Sequence, residues 1–344
     1  MSPGVSEANP HGQETGGNCY WTSWCRMQTG VTMEPIPPRR QSREPPSPSG
    51  PNVPAWIDGA LVTKALLVLN VGVYFAETVR EAGHALSHLS AANALAFGAS
   101  YPPATIGEFR WETLVTACFL HGSLVHIGFN MLALWQVGPL VERSVGSARM
   151  APMYLIAGAS GNLLSVGYGW WTHGGGVTVG ASGAITGVIA AAIVVSLRVK
   201  GWSSPLTQGL VRWLGLVLAF GLLATRSGGN IDNAAHVGGA IAGGVIASLW
   251  NRGPAYSQSA TAGVLAACLA VVGACVTLVA VHDRTDPFAT MKLEARVEFT
   301  KEALDSGRCR QAFAGLLAVE RLRTGLVTSL RNRVEESCGR DVMK

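Results

Sequence analysis

Charge is what this sequence has least of. Asp, Glu, Lys and Arg make up only 14% of its 344 residues, against 48% hydrophobic, and the apolar residues come in blocks. That scarcity argues against an ordinary soluble domain and for a membrane protein. The net charge of +5 is spread over loops and tails. With no basic stripe and no interleaved aromatics, it implies no nucleic-acid partner. The charged, apolar and small-residue layout of a cleaved signal peptide is missing too, so the first apolar helix is expected to anchor the chain uncleaved. Paired acidic residues and broken-helix repeats are absent from the apolar runs, which disfavours a transporter. His84 and His88 have i, i+4 spacing but no evident third ligand, so no metal site is expected there.

The chain does contain apolar runs of roughly 17–25 residues, long enough to cross the hydrocarbon as helices. Seven lie near 61–79, 115–137, 150–170, 181–197, 210–226, 232–250 and 260–281. Trp56, Trp170, Trp171, Trp202, Trp213 and Trp250 fall near their ends, as an aromatic belt would. Arg39, Arg40, Arg43 and Lys64 lie on the N-terminal side of the first run. Arg143, Arg149, Arg198, Lys200 and Arg212 fall on that same side, and Arg80, Arg110 and Arg226 near the helix ends on the other. This distribution predicts a cytoplasmic N-terminus and, with seven spans, a C-terminal tail outside the cytoplasm.

Residues 1–55, rich in Pro, Ser and Arg ("PIPPRRQSREPPSPSGPNVP"), cannot bury a core and are expected to be disordered. Residues 253–281 read as a linker and the seventh span, and 282–344 as a small soluble helical appendage. Cys309 and Cys338 bracket its second amphipathic stretch. Outside the cytoplasm they are a candidate disulfide, although spacing does not fix connectivity. Cys19 and Cys25 are expected to be reduced, and Cys118, Cys268 and Cys275 to be packing residues. Glu142 and Arg143 read as interface charges.

Several polar residues interrupt the apolar runs. They are His126 and Asn130 in the second, Ser182 in the fourth, and Asp232, Asn233 and His236 in the sixth. Side chains of this kind are expensive at such depth and are usually paired or functional. All three groups fall in even-numbered runs that start from one side, so they share a face of the membrane. A serine hydroxyl and an imidazole are the minimum for nucleophilic catalysis. His126 and Asn130, four residues apart on one helical face, can both donate hydrogen bonds to a developing oxyanion. Asp232 is one turn before His236; a role as helix cap is the simpler reading, leaving a Ser-His dyad. The glycines of "GASGAITG" and "HVGGAIAGG" also read as small-residue packing faces. Both readings hold together, because close packing would bring Ser182 to His236. His121 is on a different part of the helix surface from His126 and reads as a brace for the neighbouring loop.

At these residues the chain resembles the rhomboid family of intramembrane serine proteases. "HGSLVHIGFN" is similar to its H-x4-H-x3-N, with His121, His126 and Asn130. "GASG" is similar to its G-x-S-G, with Ser182, and "AHVGG" to its A-H-x-G-G, with His236. "LVERSVGSARM" and "YLIAGASGN" match the connecting pattern, and the resemblance runs from about Thr63 to Leu249. It implies an all-α polytopic membrane protein: a six-helix rhomboid core over 56–252, and one additional C-terminal transmembrane helix. It implies a Ser182–His236 dyad and an oxyanion hole from His126, Asn130 and the Ser182 N–H. Gly180, His121, Thr186 and Gly239 would be supporting residues, with Gly180 shaping a strand-like entry. The implied activity is cleavage of transmembrane protein substrates near their outer end, within the bilayer of an inner or plasma membrane, with the site facing outside. No metal or cofactor is implied. The alternative is a rhomboid-fold pseudoenzyme that binds membrane proteins without cutting them.

The chain departs from the family pattern twice. The family often has a Trp-Arg pair before the second span; here the sequence reads "FRWETLV", with Trp111 shifted and Glu112-Thr113 in its place. At Thr186 the family commonly has an aromatic that stacks on the catalytic histidine. On that pattern, Thr186→Phe is expected to retain or raise activity.

Overall fold

A computed structural model describes residues 60–81, 86–172, 174–226, 231–250, 256–286, 288, 290–320 and 327–339. Residues 1–55, with Cys19 and Cys25, lie outside the described residues, as do Trp56 and His84. The described residues form helices and no β-strand beyond one isolated bridge between Ser100 and Thr178.

Seven long helices correspond to the seven apolar runs. They are α1 (Leu61–Arg80), α4 (Leu124–Val145), α5 (Ser147–Trp171), α6 (Ser182–Lys200), α7 (Pro205–Arg226), α8 (Asn233–Leu249) and α9 (Gln258–Thr285). Between α1 and α4 lie the short helices α2 (Ala91–Ala96) and α3 (Thr113–Thr116); α10 (Leu293–Asp305), α11 (Cys309–Glu320) and α12 (Thr328–Cys338) follow α9. Five helices, α1, α4, α6, α7 and α9, are long and apolar enough to cross a membrane. With the fold they make this an integral membrane protein. Of the other two, α8 is apolar but only 17 residues long, and α5 is rich in small residues where it lies against α6 and α8. Leu216, Phe220 and Leu223 of α7 and Leu269, Val271 and Val276 of α9 are outward-facing and exposed.

The second span begins later than the apolar pattern predicts. Apolar residues from Leu114 to Leu120 fold into α3 and a 3-10 turn, Ala117–Phe119, and the helix starts only at Leu124. Ser123 sets that start by accepting the His126 N–H, 3.2 Å.

Glu142 is not an interface charge. It is 1% exposed, and its carboxylate accepts the Val62 N–H (2.8 Å), the Thr63 N–H (2.8 Å), the Thr63 hydroxyl (2.7 Å) and the Ser147 hydroxyl (2.6 Å). It caps α1 from a neighbouring helix, satisfying amides that a helix N-terminus leaves free.

The core is built on close approach of α5, α6 and α8. A Cβ at Gly239 would lie 1.9 Å from the Gly183 carbonyl oxygen, and one at Gly243 would lie 2.1 Å from that of Gly187. Only glycine lets these backbones meet.

At the C-terminal end of α9, α10 to α12 close a small core of their own around Ala312, Leu316 and Val334. The Cys309–Cys338 disulfide, left open by spacing alone, is formed and joins the start of α11 to the end of α12.

Candidate active site

The site forms where α4, α6 and α8 begin. Ser182 is the first residue of α6. No side chain caps that end, so the N–H groups of the first turn, with the positive end of the helix dipole, remain directed at the site. His236 lies in the first turn of α8, whose N-cap Asp232 accepts the Ala235 N–H at 2.9 Å. Helix packing brings these two termini together: His236 Nε2 is 2.9 Å from Ser182 Oγ across 54 residues of sequence. That is hydrogen-bond distance between a hydroxyl and a base able to take its proton.

The other imidazole nitrogen, His236 Nδ1, is buried and has no hydrogen-bond partner among the described residues. Asp232 is committed elsewhere. Besides capping α8, its Oδ2 accepts the Thr178 hydroxyl (3.0 Å) and the Ser165 hydroxyl. The arrangement is a serine-histidine pair without a carboxylate on the ring. Asn233 turns away and packs against Gly221 of α7.

His126 faces the same point from α4. Its Nδ1 accepts the Gly122 N–H at 3.3 Å, so a neutral ring carries its proton on Nε2. Nε2 faces Gly180: a Cβ there would lie 2.9 Å from it and 3.7 Å from Ser182 Oγ. Gly180 also has φ +134°, a backbone conformation side chains rarely adopt. Glycine is therefore required twice at this position. Asn130, one turn along α4 and 6% exposed, donates one amide hydrogen to the His126 carbonyl at 3.0 Å and keeps a second. His121, fully buried, packs its ring edge-on against His126 at 5.2 Å between centroids. Its backbone N–H donates to the buried Glu77 carboxylate at 3.2 Å, tying the loop to α1 while the ring packs on His126.

The loop entering α6 is held on both sides. Ser100 and Thr178 exchange backbone hydrogen bonds at 3.1 and 2.7 Å, and the Gly180 N–H donates to the Ala117 carbonyl at 2.9 Å. This is the strand-like entry, and its partner is the segment between α1 and α4.

The Thr186 hydroxyl is not bonded to the imidazole. It shares its proton between the carbonyls of Gly183 (2.8 Å) and His236 (3.0 Å), and the residue is 2% exposed. It ties the backbone of α6 to that of α8, and a Cβ on the facing Gly239 would already lie 3.0 Å from its oxygen. A phenylalanine would have to displace the neighbours of a 2%-exposed side chain, which argues against the expectation that Thr186→Phe keeps activity.

Sequence reasoning brought Ser182, His236, His126, Asn130, Gly180, His121, Thr186 and Gly239 to one neighbourhood, and the structure places them there. It missed Ser165 and Thr178, whose only signal was a hydroxyl within an apolar helix and another two residues before Gly180.

Residues 108–253 match the family model described as Rhomboid domain. The chain is 34% identical over 180 residues to Rhomboid protease GluP of Bacillus subtilis, covering 52% of this chain and 34% of that protein. It is 32% identical over 210 residues to Rhomboid protease AarA of Providencia stuartii, covering 54% and 70%. It is 31% identical over 205 residues to Rhomboid-like protease 1 of Toxoplasma gondii, covering 57% and 68%. The match thus takes in only 34% of the first of these proteins. Matched over more than two thirds of the other two, the chain belongs to the rhomboid family.

Proposed function

We propose that the protein is an intramembrane serine endopeptidase, with Ser182 as nucleophile and His236 as general base and acid. The observation that carries this reading is the 2.9 Å contact between His236 Nε2 and Ser182 Oγ in a bundle of apolar helices.

Ser182 Oγ attacks the scissile carbonyl carbon while His236 Nε2 takes the hydroxyl proton. The oxygen of the tetrahedral intermediate is held by the Ser182 N–H, His126 Nε2–H and the free Asn130 amide hydrogen. When the C–N bond breaks, His236 returns the proton to the leaving nitrogen, leaving an ester on Ser182. Water then attacks that ester, His236 accepting its proton, and the acid product leaves with Ser182 restored. Without a carboxylate on Nδ1, the ring orientation depends on the packing of α8 against α5 and α6.

The substrates are transmembrane proteins cut near their outer end, in an inner or plasma membrane, with the N-terminus cytoplasmic and the site facing outside. Labelling by a fluorophosphonate probe tests the chemistry. Native protein takes label on Ser182 and cleaves a transmembrane reporter, and Ser182→Ala and His236→Ala do neither. A native protein that binds the reporter but takes no label is a pseudoenzyme.

A further inference from the structure

The C-terminal tail meets the same segment that braces the site. Arg296 of α10 is fully buried, and its guanidinium pairs with both carboxylate oxygens of Glu108, in the loop between α1 and α4. The remaining donors are taken by the carbonyls of Met291 (3.1 Å), Ala318 (3.1 Å) and Phe288 (2.7 Å). The Leu293 N–H reaches the Tyr101 hydroxyl at 3.4 Å. A second tie comes from α9: His282 Nδ1 lies 2.8 Å from Glu112, which also meets Arg110 at 3.4 Å. Between these ties sits Phe109 at φ +57°, the only non-glycine among the described residues with a positive φ. A bulky side chain holds that conformation only where its surroundings enforce it.

The clamped segment is one step from the chemistry. Tyr101 follows Ser100, the bridge partner of Thr178, and Ala117 at its other end receives the Gly180 N–H. Gly180 in turn borders both His126 Nε2 and Ser182 Oγ.

We propose that the tail is an internal clamp for the oxyanion-hole loop, and that Arg296 is a positioning residue acting through Glu108 and the Ser100–Thr178 bridge. The inference rests on the serine-protease reading above. Glu112, which stands where the family often has its Trp-Arg pair, is part of the same device: the seventh helix and tail add anchorage to the loop at that position.

The test uses the full chain in liposomes, with the fluorophosphonate labelling rate of Ser182 and the kcat and KM for a transmembrane reporter as readouts. Arg296→Met is expected to lower labelling rate and kcat about tenfold, the scale of a small misplacement at a reacting centre. KM should stay within about twofold, as expected when the lost interaction acts in the transition state. Arg296→Lys, which keeps the charge opposite Glu108, should recover part of the loss. Should Arg296→Met not fold, Tyr101→Phe, which removes a single oxygen, decides through the same rates. Unchanged rates in the folded variants overturn the clamp, and so does a loss that merely tracks the unfolded fraction and is not relieved by Arg296→Lys. A native chain that takes no label overturns the protease reading, and the clamp falls with it.

Discussion

The hydroxyl of Thr186 and the carbonyl oxygen of His236 lie 3.0 Å apart. The residue one turn beyond Ser182 therefore holds the backbone, not the ring, of the proposed base. Thr186→Val, which keeps shape and loses the hydroxyl, should cost about 1 kcal/mol of stability and reduce labelling modestly. Thr186→Phe should lose far more activity than Thr186→Val, since a ring must push α6 away from α8. Labelling rates of the two purified variants settle the order; a phenylalanine variant as active as the native protein contradicts it.

Gly180→Ala is expected to cut the labelling rate by about 10²-fold, the effect of losing one oxyanion donor. The new methyl group meets the His126 ring at 2.9 Å and displaces it. The helical signal of the variant should remain native, because Gly180 lies outside α6.

Glycines in the core and at the lipid-facing surface should respond in opposite ways. Gly239→Ala puts a methyl 1.9 Å from a backbone oxygen that has nowhere to go, so it should cost about 2 kcal/mol or more and separate Ser182 from His236. Gly263→Ala in α9 meets nothing within 4 Å and should be neutral or stabilising by up to about 1 kcal/mol. Thermal unfolding in detergent compares them.

Glu142→Gln should weaken the fold without weakening the chemistry. An amide cannot present two acceptor oxygens to the Val62 and Thr63 N–H groups, and a buried charged acceptor of this kind is worth about 2–3 kcal/mol. Glu142 belongs to the far end of α4 from His126, so the labelling rate per folded molecule should hold. A stable but inactive variant contradicts this division.

The Cys309–Cys338 disulfide supplies a test of sidedness, because such bonds persist outside reducing compartments. In protein alkylated before cell lysis, both cysteines should be refractory until a reductant is added. Prompt alkylation of both would place the tail in the cytoplasm and upset the seven-span orientation.

How much of this was legible depended on whether a signal was local. Ser182, His236, His126 and Asn130 stood out because each interrupts an apolar run, and the glycine spacing announced that their helices would touch. Asp232 read as a cap because it directly precedes its helix. By contrast, nothing around Glu142 revealed a partner 80 residues away, so it passed for a surface charge. The ties from Arg296 to Glu108 and from His282 to Glu112 span 188 and 170 residues, and pairing at that range leaves no periodic trace. The start of α4 was misplaced because an apolar stretch reads alike whether it continues a spanning helix or folds back as a short one. Thr186 was legible as a departure from a family pattern, but its direction of bonding was not, because that depends on which atoms of α8 come within reach.

Asp232 gives the site a common origin. One carboxylate starts the helix that carries His236 and, through Thr178, also anchors the strand-like loop that leads to Ser182. Ser182 and His236 are therefore surveyed from the same point. A shift of that carboxylate moves them together and preserves their spacing, whereas losing it sets each adrift on its own.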